Sequence, residues 1–235
     1  MISVIIPTLN AGQRLPSTLS ALVPAAVDGI VREVLIVDGG STDRTRQVAD
    51  HAGVEFLEAE RGRGSQLAHG AMRAKFPWLL FLHADTVLED GWDRKASQFM
   101  RRTDLGERPR AAAAFHFKLD DKGLAPRTLE ALVRMRCALL RLPYGDQGLL
   151  MSRSLYAEIG GFKPLAIMED VDMVRRLGRR RIEFLDANAT TSAERYRRDG
   201  YIVRTLRNTT CLALYTAGLP NATIERIYAK GKTAR

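Results

Sequence analysis

Residues 78–86 read Trp78-Leu79-Leu80-Phe81-Leu82-His83-Ala84-Asp85-Thr86, an apolar run that ends on a histidine and an aspartate one residue apart. A short apolar run with turn residues beyond it reads as a buried strand. Its end is either a plain strand mouth meeting water or the seat of a metal ion. The company this strand keeps decides between the two readings, and decides the fold with it.

Three comparable runs precede it. Residues 2–6 (ISVII) are β-branched and end at Pro7, residues 33–37 (EVLIV) lead into the turn Asp38-Gly39-Gly40, and residues 54–57 (VEFL) make a third strand. Between them the spacing predicts a helix over 15–27 and another from 62–64 to about Lys75. A further helix is expected to be capped by Ser41, with Asp43 and Arg44 in its first turn, and to end near Gly53. Strands alternating with helices over short connections form a parallel sheet covered on both faces. Such sheets bind ligands outside the carboxyl ends of their strands. Four polar groups fall there: Thr8 with Asn10, residues 38–43, residues 61–64 and residues 83–86.

Beyond about residue 105 the rhythm changes. A strand is expected at 111–119, an arginine-bearing helix at 126–142, and a polar turn at Gly145-Asp146-Gln147-Gly148. A strand at 149–151, a helix capped by Ser152 and a helix beginning Glu169-Asp170 follow, then two short strands near 182–185 and 187–191. The segment from Arg195 to about Ala217 reads as basic helix. One domain is expected over 1–235, in three parts: 1–105, 106–194 and a basic helical segment at 195–235.

A hydrophobic content of 46% excludes a disordered or fibrous chain, and the net charge of +9 favours anionic company. A nucleic-acid binder would gather that charge into a stripe with aromatics, whereas here it is dispersed and aromatics make up 7%. Cys137 and Cys211 form no CxxC pair, so neither a disulfide framework nor a zinc knuckle is supported. Reduced thiols, and a first strand too short and without basic residues for a signal peptide, lead to the expectation of a cytoplasmic protein.

The motifs carry the chemistry. In Asp38-Gly39-Gly40-Ser41-Thr42-Asp43 a carboxylate, two glycines and a new helix N-terminus suit a nucleoside diphosphate. Asp38 would accept from ribose hydroxyls or a base N–H, and Asp43 does likewise or simply sits on the helix dipole. Arg61-Gly62-Arg63-Gly64 is a basic glycine loop suited to a diphosphate, though neither a P-loop nor a GxGxxG. Glu169, Asp170 and Asp172 crowd one helix start, either as dipole partners or with one as a general base. Asp146 and Gln147 either contact an acceptor or form only a polar turn.

Taken in order, VIIPTLN, VDGGSTDRT, RGRGSQ, FLHADT, GGF and MEDVDM resemble the family 2 glycosyltransferases of the GT-A fold, a Rossmann-like α/β architecture. The later TSAERYRRDG is similar to a small bacterial branch with HAD in place of DxD. The resemblance implies that Pro7, Thr8 and Asn10 line the nucleotide pocket with Asp38, and that Arg61 and Gly64 lie beside the diphosphate. It implies that His83-Ala84-Asp85 stands where the family has DxD, with Asp85 bridging the metal. His83 is left open between metal ligand, donor to the sugar phosphate and neighbour. Asp170, paired with Glu169, is implied as the base of an inverting transfer from a nucleoside-diphosphate sugar to a hydroxyl acceptor.

Such a step sheds a diphosphate, so it needs a cation at the leaving group and one base at the nucleophile. One carboxylate plus substrate phosphates suits Mg²⁺ or Mn²⁺, and an imidazole tilts the choice towards Mn²⁺. The chain has no full QxxRW motif and none of the long membrane segments of processive synthases, so a single transfer is expected. A nucleotidyltransferase of similar fold and a non-catalytic nucleotide-sugar-binding domain are the rivals. The arginine-rich segments at 127–141 and 195–207 are either solvated faces or a peripheral contact with the anionic inner face of a membrane, where a lipid-linked acceptor would be met.

Overall fold

A computed structural model describes residues 1–230. Its first half alternates as the sequence demands: β1 (Ile2–Thr8), α1 (Leu15–Ser20), α2 (Val23–Val27), β2 (Val31–Asp38), α3 (Thr45–Ala52), β3 (Glu55–Glu58), α4 (Arg63–Arg73) and β4 (Trp78–Phe81). Then come β5 (Thr86–Leu88), α5 (Trp92–Asp104), β6 (Ala112–Leu119), α6 (Leu124–Leu140), a 3₁₀ turn at Gly145–Gln147, and β7 (Leu149–Ser152). The chain continues through α7 (Arg153–Glu158), α8 (Glu169–Leu177), β8 (Ile182–Thr191), α9 (Glu194–Asp199), α10 (Tyr201–Thr216) and α11 (Asn221–Lys230). Among the described residues the strands form one sheet in the order β3-β2-β1-β4-β7-β6-β8-β5. β3, β2, β1 and β4 run parallel, whereas β7 is antiparallel to both β4 and β6 and β5 is antiparallel to β8.

The continuous apolar runs are explained by burial on both faces. Val4, Ile6, Leu80 and Leu82 enter one core, while Ile5, Leu35, Val37, Leu79 and Phe81 enter the other. Alternation at period two therefore feeds two cores from the same strands. Each fully buried Leu or Ile contributes about 1.5–3 kcal/mol. The cores hold the carboxyl ends of β1, β2 and β4 rigidly beside one another, and that rim positions the site.

The structure departs from the sequence expectations in four places. The 15–27 helix is two helices, because Pro24 has no N–H to give and a new helix restarts around it. Ser41 caps no helix: its hydroxyl donates to Asp38 Oδ1 at 2.5 Å, and Asp43 instead caps the Thr45 N–H at 3.0 Å. The two strands expected over 182–191 are one, with a register shift against β6 between Ala114 and His116. The basic C-terminal helix is broken at Gly200, which has φ 83°. Residues 231–235 of the expected basic segment lie outside the described residues. Among the described residues no helix is long and apolar enough to cross a membrane.

Gly64 shows how α4 meets the second half of the chain. A Cβ on Gly64 would stand 2.1 Å from the Lys163 carbonyl oxygen and 2.8 Å from the Leu165 nitrogen, both of them backbone atoms that have nowhere to go. Gly64→Ala is therefore expected to lower the unfolding free energy by about 1–3 kcal/mol in a urea melt. A role confined to the diphosphate would leave that melt unchanged.

Candidate active site

The nucleotide-facing rim is built by β1 and β2 in register, with Thr8 opposite Asp38. Thr8 Oγ1 donates to Asp38 Oδ1 at 2.7 Å, and the Gly40 and Ser41 N–H groups donate to Oδ2 at 3.1 and 2.7 Å. Asp38 is buried with both oxygens engaged, so it shapes the turn it sits in. Pro7 is buried in the strand beside it, and Asn10, at a left-handed φ of 53°, accepts the Thr42 N–H at 2.9 Å. Asp43 accepts the Gly12 N–H at 2.8 Å. Gln66, absent from the expected set, donates to the Thr8 and Val37 carbonyls at 2.8 and 2.7 Å and clips the two strand ends together.

The glycine loop divides its two arginines. Arg61 is exposed at the start of the loop, whereas Arg63, in the first turn of α4, reaches Glu169 Oε1 with its Nε at 2.8 Å. Burial works against the Arg63 charge, but Glu169 and Asp170 outweigh it and hold the guanidinium firmly protonated. Glu169 is 0% exposed, and burial pushes its carboxyl up to about 7 against the pull of Arg63. Its carboxylate faces Arg63 and is not among the residues that line the cavity containing Asp85 and Asp170.

Asp170 has the opposite disposition. Met168 takes a left-handed φ of 62° and turns the chain abruptly into α8. Asp170 Oδ2 then accepts the Gly145 N–H at 2.7 Å and Oδ1 accepts the Val171 N–H at 2.8 Å. A Cβ on Gly145 would lie 2.6 Å from His83 Nε2 and 3.4 Å from Asp170 Oδ2, so His83 would have to shift to admit it. The 3₁₀ turn, the β4 end and the α8 start therefore meet at one point.

That point opens on a cavity of about 120 Å³. His83, Asp85, Asp146 and Asp170 line it, and Arg63, Arg195 and Arg204 bring positive charge. Tyr196, Asn208 and Tyr228 come from the C-terminal helices. The sequence reading missed all of this helical contribution. Burial pushes His83 down to about 4, reinforced by Arg63 and opposed by Asp85 and Asp170, so its imidazole is neutral at pH 7. Burial raises Asp146 to about 6; Arg136 opposes this while Asp170 and Asp85 add to it. Gln147 is 1% exposed, donates to the Phe115 carbonyl at 2.9 Å and accepts from Arg136 at 3.2 Å, so it braces the turn.

The donor set fits a hard divalent ion in part. Asp146 Oδ1 is buried without a hydrogen-bond partner, and Asp85 and a neutral imidazole share its cavity. Among the described residues no three such side chains close a metal site by themselves. An ion there would complete its shell with diphosphate oxygens and water, as Mg²⁺ and Mn²⁺ sites do.

A mostly parallel sheet with this polar rim and an antiparallel return is the GT-A fold, and solved structures match it. Glucosyl-3-phosphoglycerate synthase from Mycobacterium tuberculosis, in complex with Mn²⁺, UDP and glucosyl-3-phosphoglycerate, superposes with a TM-score of 0.60 at 22% identity, over 94% of this chain and 81% of that one. The same synthase with Mn²⁺ and UDP-glucose gives 0.60 at 21% identity, over 94% and 80%. At that identity the likeness speaks for the fold. The glycosyl transferase family 2 model matches residues 3–117. A PGL/p-HBAD biosynthesis glycosyltransferase of Mycobacterium bovis is 36% identical over 101 residues, 37% of this chain and 36% of that protein. An uncharacterized glycosyltransferase of Mycoplasma pneumoniae is 31% identical over 108 residues, 42% of this chain and 36% of that protein. The match thus spans little more than a third of these curated relatives.

The Arg63–Glu169 pair makes a pH prediction. Folding raises the Glu169 pKa from 4.5 to about 7, so the folded state favours the protonated acid. The stability that it contributes is present below 4.5 and is lost as pH rises through about 7. In urea melts at about pH 4 and about pH 8, Glu169→Gln is expected to shrink the difference in stability by roughly 2–3 kcal/mol.

Proposed function

We propose that this protein is an inverting glycosyltransferase that moves one sugar from a nucleoside-diphosphate sugar to an acceptor hydroxyl. The observation that carries the reading is Asp170: a carboxylate held by two backbone N–H groups on a cavity that also presents Asp85 and Arg63. The donor lies across the rim of the 1–105 half, with the base and ribose against Pro7, Thr8, Asn10, Asp38 and Asp43. The diphosphate reaches Gly64, Ala84 and the Arg63 guanidinium, with exposed Arg61 at the mouth. The 106–194 half holds the acceptor, with Asp146 on its side.

Asp170 takes the acceptor hydroxyl proton as the oxygen attacks the anomeric carbon from the face opposite the leaving diphosphate. Gly145 keeps the Asp170 carboxylate oriented, and Glu169 acts as a positioning residue through Arg63. Arg63 and Arg195 place positive charge where negative charge develops on the leaving group. A divalent ion, held by Asp85 with His83 beside it, supplies further charge neutralisation when bound. The Mn²⁺ complexes of the synthase with UDP and UDP-glucose support a divalent cation here and make uridine nucleotides the first donors to test.

In a thermal-shift panel of UDP-, GDP- and dTDP-sugars with Mg²⁺ or Mn²⁺, one donor is expected to raise the melting temperature in a metal-dependent way. Asp170→Asn is expected to keep that shift and to lose transfer by a factor of about 10²–10⁴. Transfer undiminished in that variant would remove Asp170 from its role.

A further inference from the structure

We propose that α6 and α10 form a docking surface for an anionic lipid bilayer. An ordinary surface helix hides its apolar stripe, and α6 does so with Pro126, Leu129 and Cys137. Its other side is apolar too: Leu124, Leu132, Met135, Leu139 and Leu140 are 46–88% exposed. Leu132, Met135 and Leu139 fall at i, i+3 and i+7, so they share one stripe. Arg127, Arg134 and Arg141 recur at every seventh residue along its flank. Residues 131–142 contain no carboxylate, and every exposed one of them is apolar or arginine. Arg127 is paired with Glu130, while Arg134 and Arg141 have no carboxylate partner among the described residues.

The neighbouring helix repeats the arrangement. α10 touches α6 and leaves Ile202, Val203 and Leu206 61–76% exposed. Its opposite side supplies Arg204 and Asn208 to the cavity. Asp199 fixes the α9–α10 corner, accepting from Arg204 at 2.9 Å and Arg207 at 2.5 Å.

The charge selects the occupant. A second copy of the chain would set apolar against apolar but arginine against arginine. An anionic bilayer takes the leucines into its headgroup boundary and the guanidiniums onto its phosphates. The overall charge of +9 adds long-range attraction of the same sign. Because one helix faces both the bilayer and the cavity, the acceptor hydroxyl belongs to a lipid-borne molecule, a consequence that rests on the proposed transferase reading.

The test is flotation of the full chain with vesicles of phosphatidylglycerol and phosphatidylcholine, against phosphatidylcholine alone. Binding to the anionic vesicles only is expected. Leu132→Ser with Met135→Ser and Leu139→Ser, and separately Arg134→Glu with Arg141→Glu, are each expected to lower the bound fraction by roughly tenfold or more. Both variants are expected to keep the parent's melting temperature and its donor-induced shift. No binding to anionic vesicles, or binding undiminished in both variants, overturns the proposal. A parent dimer in light scattering that the same substitutions dissolve overturns it too, by making the surface a self-interface. The donor-induced shift is read separately, so failure of the transferase reading appears there and not in the flotation.

Discussion

The ion pair between Arg63 and Glu169 joins two helix starts that lie more than a hundred residues apart, and the geometry proposed for the transfer rests on it. Glu169 has no exposure, and Arg63, whose side chain is 37% exposed, is the cation within its reach. The pair therefore locks the beginning of α8 against that of α4. With Glu169 fixed inward, the 100° turn per residue of the helix carries Asp170 towards the cavity. Gly145, packed against the His83 ring, then closes the triangle between His83 and Asp170. One buried pair thus places the proposed base opposite the rim where the proposed leaving group lies.

The C-terminal helices complete what the sheet begins. The β4 end, the 3₁₀ turn and the α8 start give the cavity its carboxylates, while α9, α10 and α11 contribute Arg195, Arg204, Asn208 and two tyrosines. Arg195 has no carboxylate partner among the described residues, so its charge is available to a ligand. The Asp199 network holds these helices at a fixed angle around Gly200. A cavity lined by both carboxylates and guanidiniums suits the proposed reaction, which removes a proton from the acceptor and releases a diphosphate from the donor.

The parallel half of the fold was legible because fully buried strands leave nothing but apolar, β-branched runs, each followed by turn residues. The sheet's second half was less so, since the register shift in β8 imitates two strands and β5 is only Thr86–Leu88. Within the site, the residues at strand ends were readable as a class. Their individual roles were not, because helix phase decides them. Arg61 and Arg63 sit in the same RGRG, and only the onset of α4 at Arg63 turns the second one inward. Glu169 and Asp170 are neighbours in sequence, yet Glu169 is buried and Asp170 is half-buried on the cavity. Gln147 carries an acceptor-like amide that the fold spends on Phe115 and Arg136. Arg195 and Arg204 reach the cavity through long-range packing, which has no local signature; an arginine in a helix most often points to solvent.

The central claim is a single displacement at the anomeric carbon, driven by one carboxylate. It is tested most directly by the stereochemistry of turnover. The donor that stabilises the protein is supplied with water or a simple alcohol, and the anomer formed first is read by proton NMR before mutarotation. An α-linked donor that gives the β-anomer is the predicted result. A product that keeps the α configuration would contradict the account, because retention requires a different reaction from the one assigned to Asp170.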